Sequence, residues 1–256
     1  EALRRAGIDA PVLVLGYTPA WQARDAVRLG LSVAVFDSDT AQALAQAAQA
    51  VQRTARVHLK VDTGMHRLGA PLDRAPDLLA LMRSLEGLEV EGLFTHLSSA
   101  DDPGPEGRAA TDAQLAAFGK LVARLESAGL RPPIVHVANT AVLLGREDAR
   151  YDLARPGIGL YGLLPSRGLP DPGLAPVLGW KTQVAQVHDL EPGDAVGYGR
   201  AWRAARPSRV ATVPVGYADG FRRAPLGWRH VLVRGRPAPV VGRVSMDQAS
   251  IGVTDV

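Results

Sequence analysis

The chain has 256 residues, of which 46% are hydrophobic, so it can bury the core of one large domain or of two modest ones. Its net charge of +3 comes from basic residues scattered along the sequence, whereas a nucleic-acid surface needs a clustered basic patch, so we expect no nucleic-acid partner. Cysteine is absent, which excludes disulfides and thiolate metal sites and is compatible with a cytoplasmic enzyme, and no apolar stretch approaches the roughly 18 residues of a membrane span.

Six short apolar runs in the first two thirds of the chain predict β-strands. These runs are residues 11–16, 31–37, 55–64, 88–101, 134–140 and 153–162. Amphipathic segments between them, among them 19–30, 39–52 and 110–129, predict helices. We expect Asp39 or Thr40 to cap the second of these helices, and Gly30 and Gly129 to follow the ends of the other two.

Strands that alternate with helices predict parallel βαβ units, and near-continuous apolar strands suit a parallel sheet that is buried on both faces. A complete (β/α)8 barrel has eight strands in about 250 residues. Six strands in residues 1–165 therefore predict an α/β fold, a TIM-type barrel without its first two strands. An open doubly wound sheet is the alternative that the pattern leaves open.

The character of the sequence changes after Gly162. Residues 164–176 hold four prolines, which is typical of a linker. Strand-like segments follow at 181–187, 210–214, 231–233 and 240–244, with turn signals between them and no long helix. We therefore expect a second, smaller all-β domain over residues 175–256.

Functional groups of a (β/α)8 barrel collect at the C-terminal ends of its strands. The predicted strand ends carry Lys60, Asp62, Arg67, His96, Ser98, Ser99, His136, Asn139, Thr140, Arg155, Gly157, Ile158 and Gly159. The glycine loop 154–162 and the hydroxyl of Thr140 could hold a phosphate, although such a loop alone is more often an ordinary turn. His96 is a candidate relay to Arg155, or a histidine with a structural hydrogen bond. The six histidines lack metal-ligand spacing, so we expect no metal.

Two further residues are candidates for chemistry. Lys60 lies within an apolar strand, and a buried lysine is rare unless it is paired or modified. Tyr217 lies in the sequence GYADGF at 216–221, and a tyrosine can act as acid or base where cationic neighbours lower its pKa. An outward-facing lysine and a plain Asp-Gly turn are the ordinary alternatives.

Seven segments of the chain match, in order, the sequence pattern of one enzyme family. They are 59–69 (LKVDTGMHRLG), 94–101 (FTHLSSAD), 136–142 (HVANTAV), 154–162 (ARPGIGLYG), 196–202 (VGYGRAW), 213–221 (VPVGYADGF) and 241–248 (VGRVSMDQ). The chain resembles bacterial alanine racemase, of the fold-type III pyridoxal-phosphate enzymes. The resemblance implies a TIM-type barrel followed by a β domain, with pyridoxal 5′-phosphate as cofactor and alanine as substrate. It also implies a homodimer with active sites at the interface.

The resemblance implies roles for the residues that surround the cofactor. Arg155 would donate a hydrogen bond to the pyridine nitrogen, which disfavours protonation of that nitrogen and weakens the electron sink. Thr140, with the backbone of Gly157 and Ile158, would hold the phosphate. Asn139 would flank the same region.

The resemblance also implies how the substrate is deprotonated. Tyr217 would be the general base on one face of the substrate Cα and would act across the dimer interface. His96, beside the cofactor, and Arg155 would form a cationic network that lowers the pKa of the tyrosine. Met246 and Asp247 would line the substrate mouth from the partner subunit.

A third set of roles belongs to the loop after the third predicted strand. Arg67 would contact the phenolic oxygen of the cofactor and help to place the substrate carboxylate. Lys60 matches a family position that is often carbamylated, and as a carbamate it would be an anion that positions Arg67. His66 stands where the family usually has a small residue.

The function that the resemblance implies is the interconversion of L-alanine and D-alanine by two bases, which supplies D-alanine for peptidoglycan. The family's cofactor lysine lies in a first strand that reads like VVKANAYGHG, and this sequence contains no such run. We therefore expect a chain truncated at both ends and inactive without that lysine. A serine or broad-specificity racemase is one alternative. A non-catalytic pyridoxal-phosphate-binding barrel is another, but such proteins lack the β domain that carries GYADGF.

Overall fold

A computed structural model describes residues 1–223 and 230–256 of the chain. The described chain divides into two compact units, Glu1–Val177 and Leu178–Val256. Within these residues, no helix combines the length and the apolar character that crossing a bilayer requires.

A parallel sheet of five strands forms the framework of the first unit. In spatial order its strands are β1 (Leu13–Val14), β2 (Ser32–Val35), β3 (Ala55–Lys60), β4 (Leu88–Phe94) and β5 (Ile134–His136). The spatial order equals the chain order, as it does around a (β/α)8 barrel, whereas a doubly wound sheet reverses its order at a switch point. The sheet therefore confirms the predicted part of a TIM-type barrel and disfavours the doubly wound alternative.

Helices connect these strands and cover the sheet. The α-helices of the first unit are α1 (Ala2–Arg5), α2 (Ala23–Arg28), α3 (Ser38–Val51), α4 (Ala75–Ser84), α5 (Pro105–Ser127) and α6 (Thr140–Gly145). Three short 3-10 helices are Ala20–Gln22, Glu147–Ala149 and Ile158–Tyr161. Leu44 of α3, Leu79 of α4 and Phe118 of α5 pack in one core with the sheet residues and are almost completely buried. This core fixes the positions from which the strand ends project.

The sixth predicted strand, at 153–162, is wrong. There the chain forms a single parallel bridge between Asn139 and Arg155 and then turns into the 3-10 helix Ile158–Tyr161. Pro156 follows the bridge directly and has no N–H to give to a neighbouring strand, so the pairing ends.

Of the three helix ends predicted from the sequence, two are confirmed and one is wrong. Gly30 and Gly129 follow α2 and α5 with left-handed φ values of 61° and 67°, as predicted for residues that end a helix. The predicted cap of α3 at Asp39 or Thr40 is wrong. Asp37 is the cap, because its Oδ1 accepts the backbone N–H of Thr40 at 2.7 Å.

An antiparallel sheet forms the second unit, as predicted for a small all-β domain. Its strands are β6 (Gln186–Leu190), β9 (Ser208–Val213), β10 (His230–Val233), β11 (Arg236–Val241) and β12 (Ala249–Gly252), in the spatial order β10-β11-β12-β9-β6. A separate antiparallel pair consists of β7 (Ala195–Val196) and β8 (Trp202–Arg203).

Two strands of this sheet are shifted from their predicted positions. Of the predicted segment 181–187, only the last two residues belong to a strand, because β6 begins at Gln186. Of the predicted segment 240–244, only the first two residues do, because β11 ends at Val241 and Gly242 turns with a φ of 71°. β11 contains Pro237 and Pro239, which pair with β10 all the same. Proline argues against a strand in sequence, so the pattern missed the first half of β11.

Replacing Asp37 by alanine is expected to lower the free energy of unfolding by about 1 kcal/mol, because the N–H of Thr40 loses its cap. Asp39→Ala is the matched control, since it also removes a carboxylate from the start of α3 but no backbone cap. We expect the control to cost only about 0.3 kcal/mol, through the helix dipole. Urea unfolding followed by circular dichroism measures both, and equal losses in the two variants would contradict the cap assignment.

Candidate active site

Side chains from three neighbouring strands meet at the C-terminal edge of the parallel sheet. Lys60, at the end of β3, pairs in register with Phe94 of β4, and Phe94 pairs with His136 of β5. The ring of Phe94 stacks on that of His136, with centroids 4.6 Å apart and planes inclined by 9°. The bridge between Asn139 and Arg155 brings the following loop to the same edge. The register therefore places the predicted strand-end residues side by side.

Arg155 is held by three acceptors at this edge. Its Nη2 donates to the carbonyl oxygens of Thr95 at 2.9 Å and Val137 at 3.1 Å. Its Nη1 donates to Nδ1 of His136 at 2.6 Å. Burial lowers the pKa of Arg155 to about 10, so the guanidinium is still charged at neutral pH. Among the described residues, its Nε–H and the second hydrogen of Nη1 have no acceptor and are available to a ligand.

Lys60 is a buried lysine, only 4% exposed. Its Nζ lies 5.5 Å from the ring centroid of Phe94, and the described residues offer it neither a hydrogen bond nor an ion pair. Burial, followed by the positive charges of Arg67 and Arg155, lowers the pKa of Lys60 against the opposing effect of Asp62. A buried amine without a partner is costly as an ammonium ion, and this supports the expectation that Lys60 is modified.

A tight turn after β3 carries Arg67. The Oδ1 of Asp62 accepts the backbone N–H groups of Gly64 at 2.9 Å, Met65 at 2.9 Å and His66 at 3.2 Å. Burial opposes these backbone hydrogen bonds, yet the pKa of Asp62 is lowered overall. His66 has a left-handed φ of 52°, and Arg67 directly after it is exposed. Asp62 thus fixes the turn, while the side chain of Arg67 stays free to meet a ligand.

His96 lies close to the positive charges at this edge. It follows β4 and is partly buried. Burial, then the charges of Arg155, Arg67 and Lys60, lower the pKa of His96 to about 4. Burial and these charges disfavour the protonated form of His96, and its role in a cationic network with Arg155 stays a prediction.

The loop that follows Arg155 is tied to Thr140. The buried Oγ1 of Thr140 accepts the N–H groups of Gly157 at 2.9 Å and Gly159 at 3.3 Å. A Cβ on Gly159 would lie 2.8 Å from Cγ2 of Thr140, whereas a Cβ on Gly157 would meet nothing within 4 Å. The backbone N–H of Ile158 has no acceptor in the described part of the chain. This loop thus combines open space with an available donor, as an anion site requires.

Asn139 has a structural role in this region. It precedes α6, and its Oδ1 accepts the N–H of Val142 at 3.0 Å. The cap holds the first residue of α6, which is Thr140, in place. The structure thus shows Asn139 supporting the residue beside the glycine loop.

The second unit brings together the remaining predicted site residues. Tyr217 and Met246 belong to two loops that are joined by backbone hydrogen bonds, from Tyr217 N to Ser245 O at 3.1 Å and from Ala218 N to Met246 O at 2.8 Å. A Cβ on Gly216 would overlap the backbone of Met246, so only glycine permits this approach. Asp247 is exposed, as are Tyr217 and Met246. These exposed side chains lie on two loops that are joined by backbone hydrogen bonds.

Two polar residues behind Arg155, His58 and Glu91, were missed as site residues in the sequence, whereas His136 was among the predicted strand-end residues. His136 is fully buried, and its Nε2 lies 2.9 Å from Nδ1 of His58, which is 3% exposed. The Nε2 of His58 in turn lies 3.5 Å from Oε2 of Glu91. The signal available in the sequence was a polar residue inside an apolar strand, His58 in β3 and Glu91 in β4. No group of three or more metal-ligating side chains that could hold an ion occurs within residues 1–223 and 230–256.

Comparison with known proteins gives matches over both units. The family model "Alanine racemase, N-terminal domain" matches residues 1–165, and "Alanine racemase, C-terminal domain" matches residues 177–256. The alanine racemase of Symbiobacterium thermophilum is 46% identical over 254 residues, which are 99% of this chain and 67% of that protein. That of Citrifermentans bemidjiense is 43% identical, over 99% of this chain and 68% of that protein.

Solved structures agree with the sequence matches. The alanine racemase of D-cycloserine-producing Streptomyces lavendulae superposes with a TM-score of 0.86 at 32% identity, over 100% of this chain and 68% of that one. The alanine racemase of Streptomyces coelicolor gives a TM-score of 0.84 at 35% identity, over 99% and 68% of the two chains. This chain, which spans about two thirds of the length of these relatives, belongs to the alanine racemase family of isomerases.

Proposed function

We propose that this chain carries the pyridoxal 5′-phosphate site and one of the two catalytic bases of an alanine racemase, which interconverts L-alanine and D-alanine. The observation that carries the proposal is Arg155, a partly buried guanidinium held by three acceptors with two donors left for a ligand. We further propose a cytoplasmic homodimer, with the product D-alanine used for peptidoglycan. The bound cofactor supplies an electron-withdrawing ring that acidifies the Cα–H bond of the amino acid.

Arg155 would bind the pyridine nitrogen of the cofactor. An arginine donates hydrogen bonds and accepts none, so a nitrogen that faces it must remain an unprotonated acceptor. An unprotonated pyridine nitrogen limits how strongly the ring withdraws electrons, which favours return of the proton to Cα over side reactions. His96 lies near the same cation, and burial together with that charge lowers the pKa of His96.

The phosphate would lie at the glycine loop. Thr140 retains a hydroxyl hydrogen to donate while its oxygen accepts N–H groups from the loop. The N–H of Ile158 and the open space beside Gly157 supply the rest of the cradle. Asn139 contributes by capping α6 beneath Thr140.

Lys60 and Arg67 would bind the phenolic oxygen and the substrate carboxylate. The neutral amine of Lys60 adds to carbon dioxide, a nitrogen–carbon bond forms and one N–H proton leaves to water, which gives a carbamate anion. The lowered pKa of Lys60 favours the neutral amine that this addition needs. The anion would then pair with the guanidinium of Arg67, replacing a repulsion with an attraction.

Tyr217 would take the proton from one face of the substrate Cα. Arg223 lies with its Cζ 5.9 Å from the centre of the Tyr217 ring and adds positive charge beside it. Met246 and Asp247 would line the entrance for the substrate, in a site completed by the partner subunit. The other base would be the cofactor lysine of the family, which is none of the lysines at 60, 120 and 181.

Replacing Tyr217 by phenylalanine in the full-length protein is expected to slow racemisation about a thousandfold, because the base on one face is lost. Cofactor affinity should not change. Tyr151→Phe is the matched control, since it removes a phenol but keeps the edge-on contact with the ring of Phe118. Interconversion of both alanine enantiomers, followed by polarimetry, measures the effect. Full activity of the Tyr217 variant would contradict the assigned role.

Isotopically labelled bicarbonate is expected to give a carbamate signal in the carbon NMR spectrum of the protein. Because carbon dioxide adds only to the neutral amine, the signal should grow as pH rises, and the lowered pKa of Lys60 should let it appear at a lower pH than for an ordinary lysine. Lys60→Gln should abolish the signal. The exposed Lys120 provides the control, and a signal lost in Lys120→Gln but kept in Lys60→Gln would refute the assignment.

A further inference from the structure

A β-bulge beside the site gives one carboxylate an unusual position. Val57 of β3 pairs with Val90 of β4, but the next residue, His58, pairs with Gly92. Glu91 is therefore an extra residue with no partner opposite it. Bulges redirect a side chain relative to the regular strand. Here the side chain of Glu91 reaches the ring of His58.

The residue after the bulge makes space for the histidine. A Cβ on Gly92 would overlap the ring of His58, so any larger residue would displace that ring. Gly92 and the bulge therefore both permit the contact between Glu91 and the ring of His58. Burying polar groups in a strand is costly unless each is hydrogen-bonded, so the contact must continue to further partners.

Those partners form a chain of hydrogen bonds whose direction is set by Arg155. The guanidinium can only donate, so Nδ1 of His136 must accept and its Nε2 must carry the hydrogen. That hydrogen is donated to Nδ1 of His58 at 2.9 Å. The remaining hydrogen of His58, on Nε2, then faces Oε2 of Glu91 at 3.5 Å.

His58 and His136, the two histidines in this series of hydrogen bonds, are neutral. Burial, then the charges of Arg155 and His58, lower the pKa of His136 to about 2. Burial also lowers the pKa of His58, although Glu91 opposes the shift. The charges therefore lie at the two ends, positive on Arg155 and negative on Glu91.

The negative end is itself fixed in place. Ser32 of β2 donates its hydroxyl to Oε2 of Glu91 at 2.6 Å. The guanidinium of Arg56 lies 3.6 Å from Oε1, as a second, partly exposed partner. The hydrogen-bonded groups of this relay thus come from four strands, β2 to β5, and end at Arg155 in the loop after α6.

We propose that Glu91 is a positioning residue for the cofactor, which acts through His58 and His136 to hold the guanidinium of Arg155 against the pyridine nitrogen. This inference rests on the proposed function. A carboxylate at the far end polarises both imidazoles, so His136 becomes a stronger acceptor and Arg155 is oriented more firmly. Glu91 itself touches neither cofactor nor substrate.

The test compares two ligands that differ only at the ring nitrogen. Pyridoxine 5′-phosphate binds without covalent attachment, and its carbon analogue has a C–H in place of the pyridine nitrogen. We expect the wild-type protein to bind the nitrogen compound more tightly. Glu91→Gln should weaken that binding about fivefold, near the net value of one ordinary hydrogen bond, and leave the carbon analogue unaffected. Calorimetric titration of the full-length apoprotein measures all four affinities.

Glu89→Gln is the matched control, because Glu89 lies on the same strand, is exposed and loses the same charge. It should alter neither affinity. Equal loss for both ligands in Glu91→Gln would mean a purely structural role and would overturn the inference, as would an unchanged preference for the nitrogen compound. A wild-type protein without any preference would instead overturn the proposed contact between Arg155 and the cofactor.

A second measurement applies even if Glu91→Gln does not fold. NMR of the wild-type protein with isotope-labelled histidine should show His58 and His136 neutral, each with its hydrogen on Nε2. A hydrogen on Nδ1 of His136, or a charged ring, would overturn the relay. His58→Asn keeps an acceptor for His136 but removes the link to Glu91, so it should reproduce the selective loss for the nitrogen compound.

Discussion

The partly buried guanidinium of Arg155 is the interaction on which the rest of the site depends. Removing a cation from water is expensive, and the cost is offset only if its hydrogens find acceptors. Here the acceptors are the carbonyls of Thr95 and Val137, which follow β4 and β5, and the ring of His136. One side chain thus ties two strand ends to the loop that begins at Arg155, and it sets the direction of every hydrogen bond behind it.

The same cation explains the electrostatics of its neighbours. With Lys60 and Arg67 nearby, the strand ends carry an excess of positive charge in a partly buried space. Burial, and after it this excess of charge, lowers the pKa of His96 and of Lys60. An anionic ligand would relieve the repulsion between these cations. The positive charge at the strand ends therefore favours binding of a phosphate or a carboxylate.

The sequence predicted those features that depend on local pattern. Alternating strands and helices indicated the parallel sheet, and the strand ends marked Lys60, Thr140 and Arg155. Local pattern did not predict the contacts that depend on which residues of neighbouring strands pair with each other. The contact of His58 with Glu91 depends on a bulge between β3 and β4, and a single sequence does not show which residue of a strand is left without a partner. The 153–162 run looked like a strand because its apolar content outweighed the effect of Pro156.

The roles of Tyr217 and Met246 came from resemblance rather than from pattern, since a turn with Asp-Gly has no visible link to a loop about thirty residues later. The structure shows that link as two backbone hydrogen bonds and a glycine without room for a side chain. The backbones of the two loops are therefore tied directly to each other. A substitution that reshapes the backbone at 245–248 will carry the phenol with it. With the roles proposed for Tyr217 and Met246, a substitution that widens or narrows the substrate entrance would also affect the position of the catalytic base.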